Sequence, residues 1–409
     1  LFDKLLTRRK LKKVNSKNPK AEVLRREFLK IAGVAGLGLA LPNVAFPESR
    51  SVRPGELPFY VGTYTSGKSE GIYFYSLNLA SGELSHIAVT KNVKDPSYLA
   101  IAPNHRRLYA VNEVEDFGGK KSGALSAFEI DQRTGSLRLL NQQPSLGAAP
   151  CYTVVDRTGR FVLVANYSGG NVAVLPIRSD GSLGVATDMK QDSGSSINAE
   201  RQEGPHAHCI VLDPTNRFAY ACDLGTDKIM IYKFNSRRGK LIPARTPWVQ
   251  LKPGGGPRHL TFQPRAEYAY VINELHASVT AFARDRFEGS LKEVQTIATL
   301  PSDFSGADTS ADIHVSPNGR FLYCSNRGHD SIAAFRIDQL NGKLNFIAHE
   351  SSGGKTPRNF AIDPTGAFLL AANQHSDNIV SFRLDPETGR LSATGQVAEV
   401  PSPVCLKFK

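Results

Sequence analysis

The sequence predicts an all-β fold, a propeller of seven four-stranded blades, and three observations predict it. A Gly-x-Leu element recurs seven times along the chain. A second element, opened by an anchor residue that is usually proline and closed by Asn or Asp nine residues later, recurs six times. A seventh copy of that second element is divided between the two ends of the repeat region. At roughly 150 residues per domain, length alone would suggest two or three domains. A repeat of ~50 residues overrides that count, because each copy is one unit of a larger closed architecture.

The first element stands at Gly82-Glu-Leu84, Gly135-Ser-Leu137, Gly181-Ser-Leu183, Gly239-Lys-Leu241, Gly289-Ser-Leu291, Gly342-Lys-Leu344 and Gly389-Arg-Leu391. The intervals are 53, 46, 58, 50, 53 and 47 residues. Each copy follows an alternating run, such as NIVSFRL at 378–384. The Gly closes a tight turn and the Leu opens the next strand, so each copy reads as a β-hairpin.

The second element is anchored at Pro103, Arg157, Pro214, Pro264, Pro317 and Pro364, and nine residues on stand Asn112, Asn166, Asp223, Asn273, Asn326 and Asn373. Asn and Asp at a strand end bond the backbone of their own turn, so this column reads as structural. Two strands from each element make four per copy, the content of a propeller blade. Residues 401–408 look like a first strand at which the chain stops, and residues 59–64 like a second strand with no first. Joining the two closes the ring and removes an exposed sheet edge.

Composition narrows the class. With 41% hydrophobic and 22% charged residues, the chain is neither disordered nor collagenous. No apolar run has the ~18 residues of a membrane span without small or turn residues intervening. The formal charge is +12, but residues 1–50 hold twelve Lys or Arg against four acids, leaving 38 basic and 34 acidic residues elsewhere. A basic face on the fold is not required, and no nucleic-acid partner is expected. The five cysteines, Cys151, Cys209, Cys222, Cys324 and Cys405, are odd in number, fit no zinc spacing and lie in apolar runs. They read as buried free thiols.

Arg25-Arg26-Glu-Phe-Leu-Lys30 followed by a mild apolar stretch, 31–46, resembles a twin-arginine export signal. Residues 1–50 are therefore set apart as leader and linker, and residues 51–409 as the propeller. The expected location is periplasmic or extracellular, with membrane contact only through the signal.

Propeller topology then places the chemistry. First strands line the central channel, and the loops entering them share a face with the loops leaving the second strands. Six residues before the anchors lie Ser97, Cys151, His208, Arg258, Ala311 and Arg358; ten after lie Glu113, Tyr167, Leu224, Glu274, Arg327 and Gln374. The anchor and Asn columns repeat, whereas these two diverge into charged types, which is the contrast expected of a site. Three guanidinium forks at one mouth suit a carboxylate or phosphate. A Glu beside Arg stays ionised and can act as base, and His208 can titrate near neutral pH and shuttle a proton. Together they suit attack of water on an ester carbonyl with Arg at the oxyanion. His206-Ala-His208 and Asp312-Ile-His314 have weak metal-ligand spacing. Gly254-Gly-Gly256 is a turn rather than a phosphate loop, and no Gly-x-Ser-x-Gly elbow is present. His259 and His276 read as packing residues as readily as functional ones. Tyr152 and Asn359 stand beside the first column.

Val61-Gly-Thr-Tyr64, Gly204-Pro-His-Ala-His208, Gly256-Pro-Arg-His259, Val271-Ile-Asn-Glu274, Ser325-Asn-Arg327, Thr356-Pro-Arg-Asn359 and the Gly-x-Leu hairpins jointly resemble the lactonase family of seven-bladed propellers. That family includes a bacterial 6-phosphogluconolactonase and a fungal carboxy-muconate lactonizing enzyme. The resemblance covers roughly residues 58–409 and implies a metal-independent lactonase without a cofactor. The family's site order of His, Arg, Glu, Arg falls on His208, Arg258, Glu274 and Arg327, with His206 a rival for the histidine. His206, Arg358, Asn359 and Glu113 are expected to bind an anionic lactone. Two other functions use the same fold: a muconate-type cycloisomerase working in the lactone-forming direction, and a non-catalytic propeller that binds ligands or proteins. The export leader is a departure from the family pattern, since phosphogluconolactone is a cytoplasmic metabolite, and it bears on the named substrate more than on the lactone chemistry.

Overall fold

A computed structural model of the protein describes residues 52–409. The leader expected over 1–50 lies outside the described residues. Among the described residues, apart from a two-stranded ribbon, Asp116–Phe117 with Lys120–Lys121, every sheet is four-stranded and antiparallel, and there are seven of them. Six blades are contiguous in sequence. The first is Leu99–Ile101, Arg107–Asn112, Ala124–Ile130 and Leu137–Pro144; the last is Pro357–Ile362, Phe368–Asn373, Asn378–Leu384 and Leu391–Glu399. The seventh pairs Pro403–Phe408 with Glu56–Thr63, so the chain end supplies the innermost strand of the blade that the repeat region begins. First strands of successive blades contact one another around a closed cycle, which makes the ring.

The hairpin glycines explain why the blades repeat. All seven have positive φ, between 61° and 89°, which an L side chain adopts only at a cost. In each, a Cβ would also strike the blade before it: Phe368 beside Gly82, Phe74 beside Gly135, Phe161 beside Gly239, Phe218 beside Gly289 and Phe321 beside Gly389. The hairpin tips are thus the joints between blades. A tyrosine column six residues after the anchors completes them. Tyr60, Tyr109, Tyr220, Tyr270 and Tyr323 donate across the joint to the carbonyls of Gly135, Gly181, Gly289, Gly342 and Gly389 at 2.6–3.1 Å. Only Gly181-Ser-Leu183 departs from the expected hairpin: Leu183 makes an isolated bridge to Ile177, and the outer strand starts later, at Asp188.

The Asn column is structural; Asp223 accepts from the Gly225 amide of its own turn, as expected, but four other members bond a different loop. Asn112, Asn166, Asn326 and Asn373 donate to the carbonyls of Lys94, Ser145, Thr299 and Ser352, each in the loop that leads into the same blade. These Asn side chains are buried, so an amide left unpaired there would be costly. The five cysteines are buried and free, as their positions predicted.

Candidate active site

The two variable columns meet at one mouth of the channel through a device the sequence does not display. In the first strands, register shifts between Pro150 and Tyr152, Ala207 and Cys209, Pro257 and His259, and Pro357 and Asn359. The skipped residues are Cys151, His208, Arg258 and Arg358. Each is the extra residue of a β-bulge, which turns its side chain out of the strict alternation of the strand.

The result is a cavity of about 360 Å³ lined by Tyr64, Glu113, Cys151, Tyr167, Arg201, His208, Glu274, Thr309, Arg327 and Arg358. Its charged groups fall into two sets. In the first, Glu274 is gripped by three guanidiniums: Arg201 Nη2 at 2.6 Å from Oε1, and Arg258 Nε and Arg327 Nη2 at 2.9 and 3.0 Å from Oε2. The Arg258 contact is an ion pair outside hydrogen-bond alignment. Burial alone would raise the Glu274 carboxyl, but the charges of Arg327, Arg258 and Arg201 outweigh it and pull it down to about 2. Burial lowers Arg327 to about 10, which still leaves it cationic at neutral pH.

In the second set, Arg358 Nη2 donates to Tyr64 Oη at 2.8 Å, and Tyr64 Oη donates to Glu113 at 2.9–3.0 Å. Ser97 Oγ also donates to Glu113. The Arg358 guanidinium lies over the Tyr64 ring, 5.3 Å from its centroid. The oxygens of Glu113 thus take hydrogen bonds from two hydroxyls rather than from a cation. Burial raises its carboxyl above the ordinary value, and the pull of Arg358, Ser97 and Tyr64 does not cancel that.

Of the residues expected at the site, His208, Glu274, Arg327, Arg358 and Glu113 line the cavity. Arg258 stands behind Glu274, 2% exposed, and does not itself line the cavity. His206 is not brought in. Its ring stacks on Tyr167 at 4.5 Å and bonds the Tyr167 carbonyl and Glu203, because its strand position precedes the bulge. Asn359 is not brought in either; it follows the bulge and points deeper, onto Asp312 and the Leu406 amide. Burial, with the nearby positive charge of Arg258, holds the His208 ring well below the ordinary histidine value, which works against the proton shuttle expected there. Among the described residues no group of three or more His, Cys, Asp or Glu is placed to hold a metal ion.

Three cavity residues lie outside the two six-member repeat columns: Tyr64, Arg201 and Thr309. Tyr64 is the seventh member of the Glu113 column, visible once Tyr60 is aligned with Tyr109. Arg201 sits in the connection that makes the 58-residue interval the longest of the six, and that excess length was its signal.

A closed seven-bladed ring with an arginine-lined carboxylate site at one mouth defines the class. The chain belongs to the family of seven-bladed β-propeller lactonases, whose model matches residues 58–408. It is 40% identical to a 6-phosphogluconolactonase of Bacillus subtilis over 349 residues, which are 85% of this chain and 97% of that protein. It is 37% identical to a 6-phosphogluconolactonase of Formosa agariphila, over 71% of this chain and 82% of that one. The structure of a periplasmic gluconolactonase from Pseudomonas aeruginosa matches with a TM-score of 0.81 and 37% identity, over 86% of this chain and 99% of that one.

Proposed function

We propose that this enzyme hydrolyses a sugar-derived lactone carrying an anionic substituent, of the 6-phosphogluconolactone type, to the hydroxy acid, without a metal ion, and that Glu113 is its general base. The observation that carries the reading is the division of labour between the two carboxylates. Both oxygens of Glu274 are occupied by guanidiniums, and a carboxyl at about 2 is a feeble base. Its role is to hold Arg201, Arg258 and Arg327 in one array. Glu113 has the raised carboxyl and no guanidinium seated on it.

In the reaction, Glu113 takes a proton from water as the water oxygen bonds the lactone carbonyl carbon. The carbonyl electron pair moves to its oxygen, which Arg327 stabilises as the oxyanion. Collapse restores the carbonyl, breaks the bond to the ring oxygen and returns the Glu113 proton to the departing alkoxide. Arg358 and Arg201 bind the anionic substituent. The names of the Bacillus and Pseudomonas relatives support the lactone chemistry.

Glu113→Gln tests the assignment. It should fold, keep KM within a few-fold and lower kcat by ~10²-fold or more. As pH falls through the Glu113 pKa the base becomes protonated. The wild-type kcat/KM profile should therefore have an acidic limb above pH 4.5 that is absent from the residual activity of Glu113→Gln. A variant with full activity removes Glu113 from the mechanism.

We further propose that the protein is exported by the twin-arginine route. Arg25-Arg26 and the weakly apolar stretch after them support this.

A further inference from the structure

Beneath the cavity the channel holds a second polar layer that the reaction does not touch. Its hub is Asp312, 1% exposed. Five donors converge on this one carboxylate. His259 Nδ1 lies 2.8 Å from Oδ1 and the Ile313 amide 2.9 Å from it. His314 Nε2 at 2.9 Å, the Phe360 amide at 3.4 Å and the Asn359 side-chain amide meet Oδ2. An acceptor-only group surrounded in this way fixes the proton of its histidine partner on Nδ1. The other nitrogen, Nε2, is left as a lone pair, and Arg258 Nη1 lies 3.2 Å from it. The same Nη1 donates to the Ala311 carbonyl. Arg258 and His259 are consecutive, and the bulge lets both enter the channel, one at the cavity floor and one below it.

We infer that Asp312 is a positioning residue for the site: by fixing the His259 tautomer it holds the Arg258 guanidinium against Glu274, and through Glu274 it sets Arg327 and Arg201. The inference rests on the lactonase reading above for its kinetic consequence, but not for its structural one. The chain of contacts alternates acceptor and donor, Asp312, His259, Arg258, Glu274, Arg327, and each neighbouring pair lies within 3.2 Å. Burial, with the charge of Arg258, lowers His259 to about 3 despite Asp312, so the ring relays a hydrogen bond rather than a proton.

Replacing Asp312 by Asn turns an NH2 toward a shell made only of donors. The least costly relief is for His259 to move its proton to Nε2 and accept at Nδ1, which sets Nε2–H against the Arg258 N–H. Histidine-selective 15N NMR of the full chain reads this directly. Wild type should show His259 protonated at Nδ1, and Asp312→Asn should show it protonated at Nε2. kcat on a lactone should fall 10- to 100-fold, the usual scale for the loss of an outer hydrogen-bond partner, with KM little changed. His259→Gln, which can donate to Asp312 and accept from Arg258, should keep kcat within about tenfold of wild type. His259→Met, of similar bulk without either bond, should not. That pair also carries the test if Asp312→Asn fails to fold. Wild-type His259 protonated at Nε2, an unimpaired Asp312→Asn, or equal losses in Gln and Met variants would each overturn the inference. A wild-type protein inactive on lactones overturns the proposed function instead and leaves the tautomer measurement standing.

Discussion

The two glutamates at the cavity are opposite electrostatic objects. Glu274, 3% exposed, is compensated by three cations; Glu113 is compensated by hydroxyls and a more distant charge. Their substitutions should therefore separate stability from activity. Glu274→Gln leaves buried Arg258 without its carboxylate, which costs ~3–5 kcal/mol for a broken buried pair. Activity should fall with it, because the guanidinium array loses its centre. Glu113→Gln should lose activity at unchanged or higher stability, since folding raises that carboxyl and so disfavours its charge. The Glu274 carboxyl is depressed from 4.5 to about 2, so its contribution is fully present above pH 4.5 and is lost as pH falls toward 2. Urea midpoints of both variants at pH 7 and pH 3.5 check this. A Glu274→Gln protein as stable as wild type at pH 7 contradicts the ion-pair account.

At the scale of the strand and the hairpin, one joint is used seven times. Gly389 has φ +75°, and a Cβ there would lie 2.4 Å from the Phe321 ring. Gly395 has φ +79° with open space around it. Gly389→Ala should cost roughly 2–4 kcal/mol, backbone strain plus overpacking, and Gly395→Ala only the strain of about 1–2 kcal/mol. Tyr323→Phe removes the donor to the Gly389 carbonyl and should cost about 1 kcal/mol. Equal urea midpoints for the two alanine variants would show that the blade contact adds nothing. The bulge is the other device of this scale. It converts four first strands from packing elements into carriers of Cys151, His208, Arg258 and Arg358, and it sends the next residues, Tyr152, His259 and Asn359, into the layer below.

For the whole molecule, closure makes a single pocket from every blade. Tyr64 comes from the blade joined by the chain end, Glu113 from the next, Cys151, His208, Glu274 and Arg327 from four others, and Arg358 from the last. A protein whose site exists only when the ring is shut suits a route that exports folded chains, and its five buried free thiols suit the same route. Replacing Arg25 and Arg26 together by Lys should retain active enzyme in the cytoplasm, measured by cell fractionation and lactone turnover. An unchanged distribution between compartments ends the export proposal.

The sequence by itself determined the blade count, the hairpins, the split closing blade and both columns that face the mouth. These depend on local chemistry, repeated copy by copy: positive φ at glycine, Asn bonded to the loop that enters its own blade, and strand alternation. It did not reveal which residue of each column enters the cavity. His206, His208 and His259 are close in type and spacing to their first-strand partners, yet one stacks outside, one lines the wall and one lies beneath. Only the tertiary structure decided that, and with it which glutamate is held by guanidiniums and which by hydroxyls. Charge compensation at Glu274 joins side chains that are distant in sequence, Arg201 and Arg327 among them, and no local pattern in the chain encodes it.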